Sequence, residues 1–258
     1  MTSRRGRVGR ASAAALTTVL VASACGASVL PTWTPHGSSA PATATPTPTS
    51  TPAPSLGPSH GLPAIRLVEA PIPYDEARKE EMADYALERY GERTWHLTPS
   101  AVVLHFTESD EDPWSTINFF ASNTPNDGTL PGVCAHYVVA KDGPVYHLVA
   151  DDTMCRHMIG LNHVALGIEI VQATEGRDAA WADEQILARP EQVDAVIGLV
   201  RRLQVEHGIA TDRVLGHGTA NDDPAFLDRT GRRNDHSDIG PAFVAEFRDR
   251  LVRAGATP

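Results

Sequence analysis

Two histidines in this sequence lie where apolar runs give way to polar loops. His105 lies near the end of the run 101–106, and His217 directly follows the run 214–216. Farther along the chain, the stretch 234–243 offers carboxylates that could join them. Two imidazoles and one carboxylate would leave the fourth position of a zinc ion open, as hydrolytic zinc sites require. The residue types therefore predict a catalytic site with Zn²⁺ as cofactor.

A lone carboxylate interrupts the apolar run 164–172. Burying Glu169 in such a run would cost free energy unless a partner or a chemical task compensated for it. We interpret Glu169 as a functional group. The alternative is a carboxylate that pairs with an arginine or lies at an exposed strand edge.

Other hydrolytic chemistries lack their motifs in the region from residue 64 onward. This region contains neither the His-Glu-x-x-His sequence of zincin proteases nor the Gly-x-Ser-x-Gly elbow of serine hydrolases. Neither Cys134 nor Cys155 lies in a recognisable thiol-protease motif. Direct attack by water therefore fits the sequence better than covalent catalysis by serine or cysteine.

Strands and helices that alternate along the chain must position these residues. Apolar runs and turn residues predict four strand regions at 101–106, 133–149 (a hairpin of 133–140 and 145–149), 164–172 and 213–215. Apolar residues at helical spacing predict helices at 75–90, 191–207 and 241–253. The fold class is therefore α/β (mixed α+β), a central mixed β-sheet covered by helices within a single domain at 64–258.

The first 25 residues predict an export signal. Four arginines precede the uncharged run 11–24, which is shorter than the roughly 20 apolar residues of a membrane-spanning helix. The small residues before Cys25 resemble a bacterial lipobox, in which the cysteine becomes lipidated. The alternative is an ordinary cleaved signal with an incidental cysteine. We expect an exported protein, either lipid-anchored to the cell membrane or extracellular within the cell envelope.

Residues 26–63 predict a disordered linker. They include 9 prolines and 13 serines or threonines and no Asp, Glu, Lys or Arg, so they cannot bury enough apolar surface to fold. Such a linker would let the domain at 64–258 reach the wall beside the membrane. If Cys25 is acylated, Cys134 and Cys155 remain as a pair that an exported location permits to form a disulfide; the alternative is two buried free thiols.

The charge balance argues against a nucleic-acid partner. Four of the 22 basic residues and none of the 32 acidic ones precede residue 64, so the remainder carries a net charge of −14. A broad basic face for nucleic acid or anionic lipid is therefore not expected. We expect a monomer.

The chain contains an ordered series of short motifs over about residues 95–250: the strand ending at His105, Cys134-Ala-His-Tyr137, Cys155-Arg-His-Met-Ile-Gly160, Asn162-His-Val-Ala-Leu-Gly-Ile-Glu169, Gly216-His217 and Asp238-Ile-Gly-Pro-Ala-Phe243. This series resembles the type-2 N-acetylmuramoyl-L-alanine amidases, which are related to peptidoglycan-recognition domains. A series in consistent order is far more specific than any one motif.

The resemblance implies roles for individual residues. His105, His217 and Asp238 would be the zinc ligands, and Glu169 would act as general base or orient the water. The substrate would be peptidoglycan or a muropeptide, cut between N-acetylmuramic acid and L-alanine of the stem peptide. As further implied roles, His136, His157 and Asn162 would line the cleft as substrate contacts; the alternatives are hydrogen-bonded core histidines and a turn asparagine.

Two departures from the family pattern concern the last motif. Family members often have lysine where this chain has His236, whose imidazole could donate the same hydrogen bond to a developing oxyanion; the alternative is a supporting role. The 21 residues from His217 to Asp238 exceed the usual gap, and 219–233 look inserted. Asp235 and His236 are therefore rival third ligands.

Two other functions are compatible with these motifs. One is a metal-free lipoprotein that binds or senses peptidoglycan, which loss of a ligand would indicate. The other is a zinc endopeptidase or carboxypeptidase acting within the stem peptide, which uses the same metal chemistry.

Overall fold

The computed structural model describes residues 64–109 and 112–255. The predicted export signal at 1–25, which contains Cys25, and the predicted linker at 26–63 lie outside those residues. Within the described ranges, no helix is both long enough and apolar enough to span a membrane.

Six strands of the described chain form one mixed sheet. In spatial order β1-β4-β3-β5-β2-β6, they are β1 (Leu67–Glu69), β2 (Ala101–Phe106), β3 (Tyr137–Val139), β4 (Val145–His147), β5 (Ala165–Ile170) and β6 (Val214–Gly216). β3 and β4 form an antiparallel hairpin, whereas β2 pairs in parallel with both β5 and β6. This mixed α/β architecture confirms the predicted fold class.

Five α-helices in the same part of the chain accompany the sheet: α1 (Glu76–Tyr90), α2 (Pro113–Ala121), α3 (Ala179–Leu187), α4 (Pro190–His207) and α5 (Pro241–Gly255). The side chain of Asp75 caps α1 by accepting from the backbone N–H of Arg78, and Gly91 ends the helix in the left-handed conformation. Gly208 ends α4 in the same way. Local signals of this kind explain why 75–90 and 191–207 were predicted to within one residue.

The two central strands form the middle of the hydrophobic core. All six residues of β2 and five of the six in β5 are buried. Strands that are apolar on both faces are typical of sheets covered by helices on both sides. Val193, Val196 and Val200 of α4 pack into the same cluster as Leu104 and Ile168.

The pairing of these strands places the candidate catalytic residues at one edge of the sheet. In the parallel register, His105 of β2 lies opposite Glu169 of β5, and Leu104 lies opposite Gly216 of β6. His217, the next residue, therefore emerges beside His105. Open α/β sheets bind ligands at the carboxyl ends of parallel strands, and this edge is such a place.

The structure differs from the sequence predictions chiefly in four elements. β3 covers only Tyr137–Val139 of the predicted 133–140, because Cys134 instead donates its backbone N–H to Arg156 O. The short edge strand β1 and the helices α2 and α3 were not predicted. Asp112 caps α2 through the N–H of Trp114, and Pro113 is its first residue, so the polar turn predicted at 107–112 leads directly into a helix.

Candidate active site

Three side chains distant in sequence converge at the carboxyl edge of β2 and β6. Nδ1 of His105 lies 2.9 Å from Nδ1 of His217, which lies 3.0 Å from Oδ1 of Asp238. Asp238 Oδ2 is 3.7 Å from His105 Nδ1. All three residues are buried, and their ligand atoms lie within 4.8 Å of one another.

This donor set fits a zinc ion. Two imidazole nitrogens that face each other at 2.9 Å can share at most one proton, whereas a cation between them would use both lone pairs. Two imidazoles and a carboxylate are also the donor types that catalytic zinc sites use. Burial lowers the pKa of His105 well below its usual value, and the imidazole of His217 lowers it further, so the His105 ring is neutral as a ligand must be.

A turn anchored by α3 holds Asp238 in place. Asp183 accepts hydrogen bonds from the backbone N–H of Ile239 (3.1 Å) and Gly240 (2.8 Å). Gly216 permits the close approach of this turn, because a Cβ atom there would lie 1.9 Å from Ile239 O. Asp183 was missed by sequence reasoning; the one available signal was a carboxylate among the apolar residues of α3.

Glu169 lies beside the three converging side chains. Its Oε2 atom is buried and has no hydrogen-bond partner among the described residues. Burial raises the pKa of Glu169 to about 8, and the negative charge of Asp238 contributes to the increase. The alternative of an arginine partner is not seen in the ion pairs of the described chain. A carboxylate in such surroundings favours accepting a proton.

The two other candidates for the third ligand, Asp235 and His236, do not converge with the two histidines as Asp238 does. The ring of His236 stacks on that of His217, with centroids 4.5 Å apart, and its side chain is 65% exposed. His236 Nδ1 is 3.8 Å from Asp238 Oδ1. Asp235 is exposed on the cavity surface. Asn234 fixes this loop by donating to His217 O and accepting from the N–H of His236.

Of the three predicted substrate contacts, two are bound to the protein's own backbone. His136 is fully buried, with Nε2 donating to Thr153 O and Nδ1 accepting from the N–H of Gly167. Burial lowers the pKa of His136 to about 4. Asn162 is also fully buried and accepts from the N–H groups of His157 and Met158. Both side chains match the alternative given above, and neither lines the cavity.

His157 does reach the site, but it contacts a ligand candidate. Its Nδ1 lies 3.0 Å from Nε2 of His105, and its Nε2 lies 3.1 Å from Ala165 O. Burial lowers the pKa of His157 to about 3, and the neighbouring His136 contributes. Two residues before it, Cys155 forms a disulfide with Cys134, with 5.6 Å between their Cα atoms.

An open cavity of about 1120 Å³ contains the site. It exceeds the roughly 300–1,000 Å³ of small-molecule pockets and suits an extended substrate. Besides the converging residues, its lining includes Phe119 of α2, Arg177 and Arg232. Arg177 lies over the ring of Trp181, and Arg232 pairs with Asp127 across 2.7 Å.

The long segment between His217 and Asp238 packs against the fold. Asp228 forms an ion pair with Arg89 of α1, and both side chains are at least 93% buried. The ring of Phe226 fills the space beside Gly160, where a Cβ atom would lie 2.4 Å away. The segment therefore closes back on the domain and returns the chain to Asp238.

Two solved structures are similar to this chain. The amidase LysC from Clostridium intestinale URNW is 18% identical, with 72% of this chain and 97% of that chain covered and a TM-score of 0.45. The endolysin of the Thermus scotoductus MAT2119 bacteriophage Ph2119 is 19% identical, with 71% and 99% covered and a TM-score of 0.42. No curated protein matches the chain.

A family model described as N-acetylmuramoyl-L-alanine amidase matches residues 95–238. The matched range contains His105, Glu169, His217 and Asp238, and it spans more than half of the 258 residues. This chain belongs to the N-acetylmuramoyl-L-alanine amidase family.

Proposed function

We propose that this protein is a zinc-dependent peptidoglycan hydrolase that cleaves the amide between the lactyl group of N-acetylmuramic acid and L-alanine of the stem peptide. The convergence of His105, His217 and Asp238 beside the unpartnered carboxylate of Glu169 supports this proposal most strongly. Membership of the amidase family supports the choice of bond.

The residues of the site have separate roles in this reaction. His105, His217 and Asp238 would hold the ion. When bound, zinc would supply Lewis-acid polarisation of the scissile carbonyl and of the attacking water. Glu169 takes a proton from that water as its oxygen bonds to the carbonyl carbon, and returns a proton to the nitrogen as the C–N bond breaks. The products are the free lactyl carboxylate and a peptide with an L-alanine amino terminus.

His236 is proposed to assist at the edge of the site. Its exposed imidazole faces the cavity while its ring stacks on His217. From there it can donate a hydrogen bond to the oxygen that becomes negative in the tetrahedral transition state.

Digestion of purified muropeptides tests the reaction. Mass spectrometry should find two products: intact stem peptides whose amino terminus is L-alanine, and glycan fragments whose lactyl groups end in a free carboxylate. Shortened stem peptides would instead support the endopeptidase or carboxypeptidase alternative. Binding of muropeptides without any product would support the metal-free binding alternative.

Metal analysis tests the ligand set. We expect one zinc per chain, loss of activity on chelation and recovery on adding zinc. Asp238→Ala should lose zinc, whereas Asp235→Ala, a matched change in the same loop, should retain it. Zinc that stays in Asp238→Ala and leaves Asp235→Ala would assign the third ligand to Asp235; loss in His236→Ala alone would assign it to His236.

We also propose that Cys25 carries a lipid that anchors the exported chain, with 26–63 as the linker to the domain. The uncharged run before Cys25 and the Pro/Ser/Thr composition of the linker support this. Cys25→Ala should move the protein from the membrane fraction to the soluble one and remove the acyl mass from its amino-terminal peptide. An unchanged distribution would favour the ordinary cleaved signal.

A further inference from the structure

Three features of the fold hold the side chain of His157 in one position. The disulfide between Cys134 and Cys155 fixes the chain two residues before it. The side-chain oxygen of Asn162 accepts the N–H of His157 at 2.9 Å. Gly167 of β5 leaves room for the ring, since a Cβ atom there would lie 2.7 Å from the Cγ atom of His157. The imidazole therefore has a fixed position beneath His105.

The hydrogen bond of His157 to Ala165 determines which atom is the donor in the contact between His157 and His105. Ala165 O is a carbonyl oxygen and can only accept, so Nε2 of His157, 3.1 Å away, carries the hydrogen. In a neutral imidazole the other nitrogen then has a lone pair. Nδ1 of His157 is thus an acceptor, and Nε2 of His105, 3.0 Å away, must be its donor.

We propose that His157 is a positioning residue that fixes the proton of His105 on Nε2 and so presents the Nδ1 lone pair of His105 to the metal. That nitrogen is the one that lies 2.9 Å from His217 and 3.7 Å from Asp238. Metal-binding histidines commonly orient themselves through a hydrogen bond from the second ring nitrogen, and here another imidazole accepts it. The inference rests on the proposed zinc function.

His217 provides a contrast. Its Nδ1 lies within hydrogen-bonding distance of His105 Nδ1 (2.9 Å) and of Asp238 (3.0 Å to Oδ1), so a proton on that nitrogen can bond to either. It must leave before His217 can bind metal through Nδ1. His105 needs no such change, because its proton already lies on the far side of the ring.

Histidine-ring NMR tests the assignment in the zinc-free wild-type protein. Long-range ¹H–¹⁵N spectra should show His105 and His157 both protonated on Nε2. A His105 ring protonated on Nδ1 would overturn the proposal. Since this measurement uses neither zinc nor substrate, it stays informative even if the protein binds no zinc or leaves muropeptides uncut, results that would contradict the proposed function instead.

Zinc affinity tests the consequence. His157→Phe keeps an aromatic ring but removes the acceptor, and it should weaken zinc binding roughly 10- to 100-fold in a chelator competition. His157→Asn places an oxygen near the position of Nδ1 and should restore affinity to within about threefold of wild type. His96→Phe, a matched change at an exposed ring stacked on Trp95, should have no effect.

Each of these outcomes bears on the proposal. Equal zinc affinity in His157→Phe and wild type would overturn it, as would equal losses in the Phe and Asn variants. Circular dichroism establishes that each variant is folded. Should His157→Phe fail to fold, the NMR assignment in the wild-type protein decides the matter alone.

Discussion

At the scale of single residues, Glu169 combines a half-buried side chain with one buried oxygen that has no partner. Its Oε2 atom has no hydrogen bond among the described residues, and its side chain lines the cavity. A buried carboxylate without a partner costs stability, and a protein retains one where its proton affinity is used. Burial and the charge of Asp238 raise the pKa of Glu169 to about 8, so its carboxylate binds a proton more tightly than an exposed one would.

Glu169→Gln should therefore separate metal binding from turnover. The amide has nearly the same shape but cannot take a proton, so the rate of muropeptide cleavage should fall roughly 10²- to 10⁴-fold. Zinc content should be unchanged, because Glu169 is not one of the three converging ligands. Glu88→Gln, an exposed change on α1, is the control. A Glu169→Gln enzyme with full activity would remove Glu169 from the mechanism.

His136 should make stability depend on pH. Its pKa is about 4 in the folded chain and about 6.5 when unfolded, so between these values only the unfolded chain takes up the proton. Stability is therefore full above pH 6.5 and falls as the pH drops toward 4, by about 3 kcal/mol from this group. Denaturant titrations at pH 7 and pH 4 would measure the loss.

His136→Gln is the comparison for that measurement. Glutamine cannot titrate, so the free energy of unfolding of the variant should fall by about 3 kcal/mol less than that of wild type over the same interval. Histidines that do not interact with His136 contribute equally in both proteins, so their contributions cancel. Equal losses in the two proteins would show that His136 is not buried in its neutral form.

At the scale of elements, prediction succeeded where the signals were local. The capping residues of α1 and the apolar spacing of α4 lie within the elements themselves, and both helices occur within one residue of their predicted bounds. β1 has only three residues and exists because β4 offers it a parallel edge, 78 residues along the chain at Leu67 and Val145. No pattern within three residues can indicate such a pairing.

Candidate site residues divide in the same way. His105 could be found because it lies near the end of an apolar strand, His217 because it directly follows one, and Asp238 because of the motif that begins with it. Asp183 could not, since its role depends on α3 meeting the start of α5. His157 was placed in the cleft by its motif, but only the register of its ring against Gly167 shows which groups its nitrogens face.

The packing of residues 219–233, which the sequence predicts to be an insertion, should depend on one buried ion pair. Asp228 pairs with Arg89 at 3.1 Å, and their side chains are 1% and 7% exposed. Removing one partner leaves an uncompensated buried charge, so Asp228→Ala should lower the free energy of unfolding by about 3–5 kcal/mol. Asp84→Ala breaks the pair that Asp84 (68% exposed) makes with Arg93 (48% exposed), and it should lower the free energy of unfolding far less.

Chemical denaturation of the two variants beside wild type makes that comparison. Similar small losses for Asp228→Ala and Asp84→Ala would mean that the insertion is not tied to α1 in solution. A large loss for Asp228→Ala with the zinc content retained would show that the insertion stabilises the domain without supplying metal ligands.

At the scale of the whole molecule, the sheet supports the domain, and the candidate catalytic residues lie at one edge of it. β5, β2 and β6 run in parallel, so their carboxyl ends meet at one edge, while the hairpin of β3 and β4 extends the sheet on the other side. The segments that follow the strands then line the cavity. The disulfide between Cys134 and Cys155 joins two such segments outside any strand.

That disulfide gives the last prediction. Closing a loop of 21 residues restricts the unfolded chain by about 3 kcal/mol, which for a domain of this size corresponds to a Tm change of roughly 6–12 °C. Thermal unfolding of zinc-loaded protein should therefore shift downward by that amount on adding a phosphine reductant, chosen because dithiols also chelate zinc. The double variant Cys134→Ala/Cys155→Ala should unfold at the lower temperature with or without reductant. Equal Tm values for oxidised and reduced wild type would contradict a stabilising disulfide between the two cysteines.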